Sequence, residues 1–223
     1  MKNNKIAVFS IIAGIVNLIA SIIFITTLPD IVPTHFDMHF RVDSIGSKYT
    51  ALFLAFLPLL VSLGMLLELK LRKKDYANRK VLQIMMVIMM AFFIPMNWIT
   101  LFTMRGEAVI GAECAFPVHP QFLIVLLMGL LFIGMGNYFP TIAQNATLGI
   151  KTSWTLKNEQ CWKLTHRFGG KVLVIAGLVL VLSSVIFRIA NITSEWLFLV
   201  FFTVLMLTLV IVTVYSYMHR NDE

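Results

Sequence analysis

The sequence predicts an all-α fold: a polytopic integral membrane bundle of about six transmembrane helices, with both termini in the cytoplasm. Three observations carry this expectation. Of 223 residues, 59% are hydrophobic and only 13% are charged, with a mean hydropathy of +0.86. A soluble domain of this length has too high a surface-to-volume ratio to enclose so much apolar surface. The apolar residues gather into six stretches, each near the ~20 residues needed to cross hydrocarbon. The basic residues divide unevenly between alternate loops, as the positive-inside rule requires.

In chain order the stretches are Ile6–Leu28, Thr50–Leu67, Val81–Met104, Gln121–Phe139, Lys171–Ile189 and Glu195–Tyr217. The first reads as a retained span, because its apolar core exceeds a signal h-region and no small-x-small cleavage site precedes Pro29. The second is the shortest and carries Pro58, and the third carries Pro95. Each proline lacks the N–H that a helix interior needs, which predicts a kink. Ser10, Gly14, Asn17 and Ser21 recur at intervals of three or four and make one small, polar face of the first span. Such a stripe is a helix-packing surface or, in the alternative, a substrate path. Glu68, Arg188 and Glu195 lie only at span ends, which counts against a proton-coupled pump.

Fourteen Lys and Arg residues fall on one side of these spans. They are Lys2 and Lys5, the run from Lys70 to Lys80, the segment from Lys151 to Lys171, and Arg220 in the tail. The other side has four: Arg41, Lys48, Arg105 and Arg188. The formal charge of +7 and pI near 9.6 therefore suit an anionic cytoplasmic leaflet better than direct nucleic-acid binding. Cys114 and Cys161 fall on opposite sides, so neither a disulfide nor a cysteine metal site is expected.

Two loops are too composed to be simple connectors. The external one reads LPDIVPTHFDMHFRVDSIGSKYT, Leu28 to Thr50. Pro29 and Pro33 force an extended entry. His35, Asp37 and His39 then alternate, with Asp43 following. An extended chain would place the three on one face, and a helix would pair His35 with His39. Either could contribute to a metal site that His119 joins, although no closed ligand set is present. The plainer reading is a hydrogen-bonded interfacial loop with no metal.

The cytoplasmic loop reads GNYFPTIAQNATLGIKTSWTLKNEQCWKLTHRFGGK, Gly136 to Lys171. Asn145, Gly149 and Thr152 mark turns. Asn158 is an expected N-cap, with Glu159 at the favourable end of the helix dipole. A short amphipathic helix is predicted from there, lying in the interface and ended by Gly169–Gly170. Trp154 and Trp162 would anchor it, with Lys151, Lys163 and Arg167 meeting headgroups or a partner. His166 has no acid or nucleophile at a recognisable spacing. No HExxH, GxSxG or phosphate-binding glycine loop occurs, so neither an enzyme nor a cofactor is expected.

Together the two loops resemble the SdpI family of bacterial membrane immunity proteins. The cytoplasmic resemblance rests on Gly136–Asn137, Pro140, Asn145, Gly149–Ile150, Trp154–Leu156, Trp162, Thr165–His166 and Gly169–Lys171. The external one is similar to a short domain of unknown function that often precedes the family region, through Leu28–Pro29, Pro33, His35, Asp43 and Gly46–Lys48. The chain departs from these patterns in places. Lys151 and Ser153 replace a usual Arg and Pro, Phe36 a usual Trp, and Phe40 a usual Gly. His39 falls where the pattern has no histidine.

The resemblance implies residues 1–80 as a first helical pair with the external loop, and 81–223 as a four-helix region with its loop at 140–171. It implies a bacterial cytoplasmic-membrane protein that gives immunity to a secreted, membrane-active, SdpC-like peptide toxin. It also implies a receptor role, holding an ArsR-like winged-helix autorepressor at the membrane. Pro29, Pro33, His35, Asp37 and Asp43 would face toxin. Asn145, Gly149, Lys151, Trp154, Trp162, His166 and Arg167 would face the repressor. Competing classes are a small-solute or peptide transporter, motivated by polar groups in the first and third spans, and a metal-responsive sensor built on the external histidines.

Overall fold

The computed structural model describes residues 5–71, 76–114, 116, 119–145 and 148–221. Lys2 and Arg72, Lys73 and Lys74 of the basic segments lie outside them. Six helices are long and apolar enough to cross a membrane, and the architecture is a polytopic membrane helical bundle. The elements are α1 (Lys5–Thr26), β1 (Ile31–Phe36), β2 (Val42–Ser47), α2 (Leu52–Leu71), α3 (Tyr76–Thr103), α4 (Pro120–Tyr138), α5 (Glu159–Ile189) and α6 (Ser194–Met218). One end of the bundle carries the β1–β2 hairpin, and the other carries the start of α1 and the end of α6. These are called the hairpin end and the terminal end below.

The first half packs α1, α2 and α3. Ser10, Gly14, Asn17 and Ser21 are all buried on one face of α1, so the polar stripe is a packing surface. A Cβ on Gly14 would lie 3.0 Å from the Leu59 Cα, which shows how closely α2 approaches. The amides then hold α3. Asn97 Nδ2–H donates to Ser21 Oγ at 2.9 Å, and Trp98 Nε1–H donates to Asn17 Oδ1 at 3.1 Å. Bonds of this kind knit helices where lipid offers no competing partner. Pro58 and Pro95 both sit inside continuous helices. Ser62 Oγ–H donates to the Pro58 carbonyl at 2.9 Å.

The second half is built on a closer contact. Gly129 and Gly136 of α4 face Gly177 and Gly170 of α5, and both pairs are seven residues apart. A Cβ on Gly177 would sit 2.5 Å from the Gly129 carbonyl oxygen, and one on Gly170 would sit 2.6 Å from that of Gly136. The predicted stop at Gly169–Gly170 is therefore a misreading. α5 runs unbroken for 31 residues, because these glycines serve close approach between helices. The expected interfacial helix is simply the first turns of a span.

A second correction concerns the external loop. It is an antiparallel hairpin with registers Ile31↔Ser47, Val32↔Gly46 and Pro33↔Ile45, a small β element on an otherwise helical protein. The segment near residue 112 continues the sheet on the β2 side: Val42 N–H donates to the Ala112 carbonyl at 2.9 Å, and Gly111 N–H donates to the Val42 carbonyl at 2.7 Å. Lys48 N–H donates to the Asp30 carbonyl across the ladder. Alternation from that bond puts the position of Pro33, which has no N–H to give, on the outer edge. A proline there blunts an edge that would otherwise recruit another strand.

The glycine contacts give a direct expectation. Gly177→Ala should destabilise the solubilised protein by about 1–3 kcal/mol, the usual cost of overpacking. Gly64→Ala, at a position with open space around it, should be neutral or gain up to ~1 kcal/mol from helix propensity. Thermal unfolding in detergent checks both, and equal stability of the two variants would contradict the contact.

Candidate functional site

The residues singled out in the two loops fold into two small units, one at each end. At the hairpin end, Lys48 is nearly buried. Its Nζ donates to the Leu28 carbonyl at 3.1 Å and pairs with Asp30 Oδ1 at 3.0 Å. It thus satisfies an orphan carbonyl beyond the end of α1 and ties it to the strand pair. The cluster beneath is apolar: Ile25, Leu28, Val32, Ala51, Leu101 and Met104. At Gly46 the space is tight, since a Cβ there would lie 3.1 Å from Thr34 Cγ2.

The alternating histidines and acids do not share a face. His35 Nδ1–H donates to Asp43 Oδ1 at 2.6 Å, within the hairpin. Asp37 caps the turn, accepting from the backbone N–H of Arg41 at 2.8 Å and of His39 at 2.9 Å. These bonds, that of Arg41 first, hold the Asp37 carboxyl below the usual carboxylate range. The cap is therefore present at neutral pH and is lost only as pH falls through that lowered value. His39 turns away and its Nδ1–H donates to Glu195 Oε1 on α6 at 2.6 Å. Among the described residues no three His, Cys, Asp or Glu side chains converge. The metal reading of His35, His39 and His119 loses its cluster, since the first two are committed to separate carboxylates.

Phe40, in the place of the pattern's glycine, has φ of 61°. A left-handed non-glycine residue costs about 1–2 kcal/mol. Its ring stacks on Phe36 with centroids 4.8 Å apart, a contact of about 0.5–1.5 kcal/mol that offsets much of this cost. Pro29 is exposed and Pro33 buried. Nearby Cys114 is half-buried, and burial pushes its thiol up to about 11, so it stays protonated and unreactive at neutral pH.

At the terminal end the loop from Ile142 to Asn158 folds onto the first turns of α5. His166 is fully buried. Its Nδ1–H donates to the Trp162 carbonyl at 2.9 Å, and its Nε2 accepts from the Ile150 N–H at 3.0 Å. Both ring nitrogens are thus occupied by backbone, in the neutral Nδ1–H tautomer, and neither is free for proton transfer. Trp162 is also fully buried, stacks on His166 at 4.0 Å, and donates Nε1–H to the Ile142 carbonyl at 2.8 Å. Gly149 takes φ of 123° directly over these two rings, a conformation that side chains resist. Asn145 closes the turn before it: its Oδ1 accepts from Leu148 N–H at 2.7 Å and its Nδ2–H donates to the Leu148 carbonyl at 3.1 Å.

Trp154 is held differently. Its Nε1–H donates to Ser216 Oγ on α6 at 2.7 Å, and its ring meets Tyr217 edge-on. The expectation that Trp162 and His166 form a partner-facing or lipid-anchoring surface is therefore overturned; they are the core of the loop. Lys151, Leu156, Lys157, Lys163 and Arg167 remain exposed, with Lys163 paired to Glu159 at 2.8 Å. Thr155, inside the Trp154–Leu156 motif, and Gln144 bind the loop's backbone. Thr155 Oγ1–H donates to the Ile150 carbonyl at 2.9 Å, and Gln144 Nε2–H donates to the Thr155 carbonyl at 2.7 Å. Glu195 and Ser216 were missed as site residues, for no local pattern marks partners 156 and 62 positions away.

Comparison with known proteins follows the same two units. Residues 141–216 match the SdpI/YfhL protein family, and residues 12–60 match a domain of unknown function, DUF1648. The chain is 29% identical to Immunity protein SdpI of Bacillus subtilis (strain 168) over 217 residues, covering 97% of this chain and 95% of that protein. No solved structure matches it. The resemblance to the SdpI family, with its preceding short domain, is borne out.

The terminal-end geometry makes a checkable statement. His166→Ala leaves the Ile150 N–H without its acceptor, a loss of about 1–3 kcal/mol for a buried donor. Tryptic cleavage after Lys151 and Lys157 in the solubilised protein should accelerate accordingly. Unchanged cleavage would mean that something other than His166 holds the loop.

Proposed function

We infer, from a chain that carries an SdpI/YfhL region behind a DUF1648 region, that it is a multi-pass membrane immunity protein acting against a secreted, SdpC-like peptide toxin. The observation that carries this reading is similarity to an immunity protein along 97% of the chain. The bacterial cytoplasmic membrane is its proposed location. The hairpin is outside and both termini are inside, in keeping with fourteen Lys and Arg on one side against four on the other.

Chemistry at the hairpin end suits a membrane-active peptide. Ile31, Met38, Ile45 and Tyr49 are exposed around the His35–Asp43 and His39–Glu195 pairs. An amphipathic peptide finds apolar contact and hydrogen-bonding groups there together, beside the lipid that it attacks. The transporter reading loses much of its motive, since Asn17, Ser21 and Asn97 bond across α1 and α3 and Thr100 bonds to the Met96 carbonyl of its own helix.

Expression in toxin-sensitive bacteria should raise the peptide concentration needed to kill. Met38→Asp should lower that protection roughly tenfold, the effect of losing about 1.4 kcal/mol of binding. Killing that is unchanged by expression, for every SdpC-like peptide tried, would sink the reading.

A second role concerns the exposed basic part of the terminal loop. Lys157 on the loop and Arg167 on the first turns of α5 beneath it present positive charge, which suits anionic headgroups and an ArsR-like repressor docked beside them. Reversing both to Glu should leave a cognate repressor in the soluble fraction while protein abundance and immunity stay unaltered. Unimpaired recruitment to membranes would reject this role.

A further inference from the structure

One helix joins the two ends. At the hairpin end His39 Nδ1–H donates to Glu195 Oε1, in the first turn of α6, at 2.6 Å. At the terminal end Trp154 Nε1–H donates to Ser216 Oγ at 2.7 Å, and the Cys161 thiol donates to the Ser216 carbonyl at 3.5 Å. The Asn158 amide reaches the Arg220 carbonyl at 3.5 Å. From Glu195 to Ser216 the helix spans ~32 Å at 1.5 Å per residue. Its two polar anchors therefore sit on opposite sides of the hydrocarbon.

Between those anchors α6 is the least enclosed of the six spans. Its buried residues, Leu197, Thr208, Val212 and Ser216, are few, and the last three repeat every four along one stripe. A helix held along one stripe shifts by sliding or rotating as a unit, since few interdigitated side chains oppose it. Phe201, Val204 and Leu205 are half-buried against α4 and α5, and most of the remaining surface of α6 is exposed, which leaves room for such a shift. The His39–Glu195 pair is also reachable, its side chains being 50% and 38% exposed.

We propose that α6 is the coupling element between the two ends, so that a change in the hairpin at His39 alters the Trp154–Ser216 contact that seats the basic loop. This deepens the reading above, which supplies the peptide as the natural ligand of the hairpin, but the mechanical link stands without it. The link runs through His39 and not through His35. His35 is bonded to Asp43 inside the hairpin and donates nothing to α6. Coupling of this kind is reciprocal: a partner that holds the loop on α6 biases the hairpin by the same free energy.

The test uses the full chain in lipid nanodiscs, labelled with 5-fluorotryptophan, with the Trp154 resonance identified by Trp154→Phe. His39→Ala and Glu195→Ala should each displace that resonance. The double variant should displace it no further, because both changes remove one bond. Glu195→Gln, which keeps an acceptor for His39, should return the signal toward its wild-type position. His35→Ala should leave it in place. The Trp196 resonance moves trivially, beside Glu195, and does not count. A Trp154 signal unmoved by His39→Ala and Glu195→Ala, or moved equally by His35→Ala, would overturn the proposal. No toxin enters this experiment, so its failure leaves the immunity reading standing, and a failed protection assay leaves the link standing.

Discussion

The close approach of α4 and α5 over two glycine pairs is the contact on which the rest of the protein depends. In lipid, apolar side chains gain little by leaving one apolar surroundings for another, so helices associate through close fit and hydrogen bonds. Gly129 against Gly177 and Gly136 against Gly170 give that fit, with carbonyl oxygens where side chains would otherwise stand. Repeated after seven residues, the contact keeps α5 in register with α4 over two turns. It also carries α5 past Gly169–Gly170 without a break, and so places His166 and Trp162 as a rigid platform at the terminal end.

That platform explains why the loop before it has such a particular sequence. A tight approach of backbone to two stacked rings requires glycine at position 149. A neutral imidazole with one donor and one acceptor matches one carbonyl and one N–H; Trp162 on α5 supplies the first and Ile150 of the loop the second. Thr155 and Gln144 bind further backbone groups, at Ile150, Thr152 and Thr155. The signature is the internal wiring of a folded loop. Its outward face is made by other residues, the exposed Lys and Arg between the signature positions.

The hairpin end follows the same economy with different chemistry. Lys48 fastens the strand pair to the end of α1, and Asp37 caps the turn with two backbone N–H groups. Phe40 replaces a glycine in a left-handed position and recovers much of the cost by stacking on Phe36. The unit so made is outward-facing and partly apolar, and His39 gives it a hydrogen bond to α6. One hydrogen-bonded unit stands at each end, and one lightly packed helix runs between them.

Much of this was legible in the sequence. Six apolar runs, the charge asymmetry and the extended entry set by Pro29 and Pro33 are local properties, and each depends on a residue's own preference for lipid, headgroup or backbone conformation. The N-cap at Asn158 and the turn at Asn145 are local for the same reason. What only the tertiary structure decided are the pairings across long separations. A glycine pair reads equally well as a helix stop or a helix contact, and α4 made it a contact. A tryptophan reads equally well as an interfacial anchor or a core ring, and Ile142, Ile150 and Gly149 made Trp162 the core. His35 and His39 are alike in sequence, yet one answers Asp43 beside it and the other Glu195 on the last helix. Hydrogen bonds and close packing are satisfied by whatever the fold brings near, and that nearness is not written in the spacing of either residue.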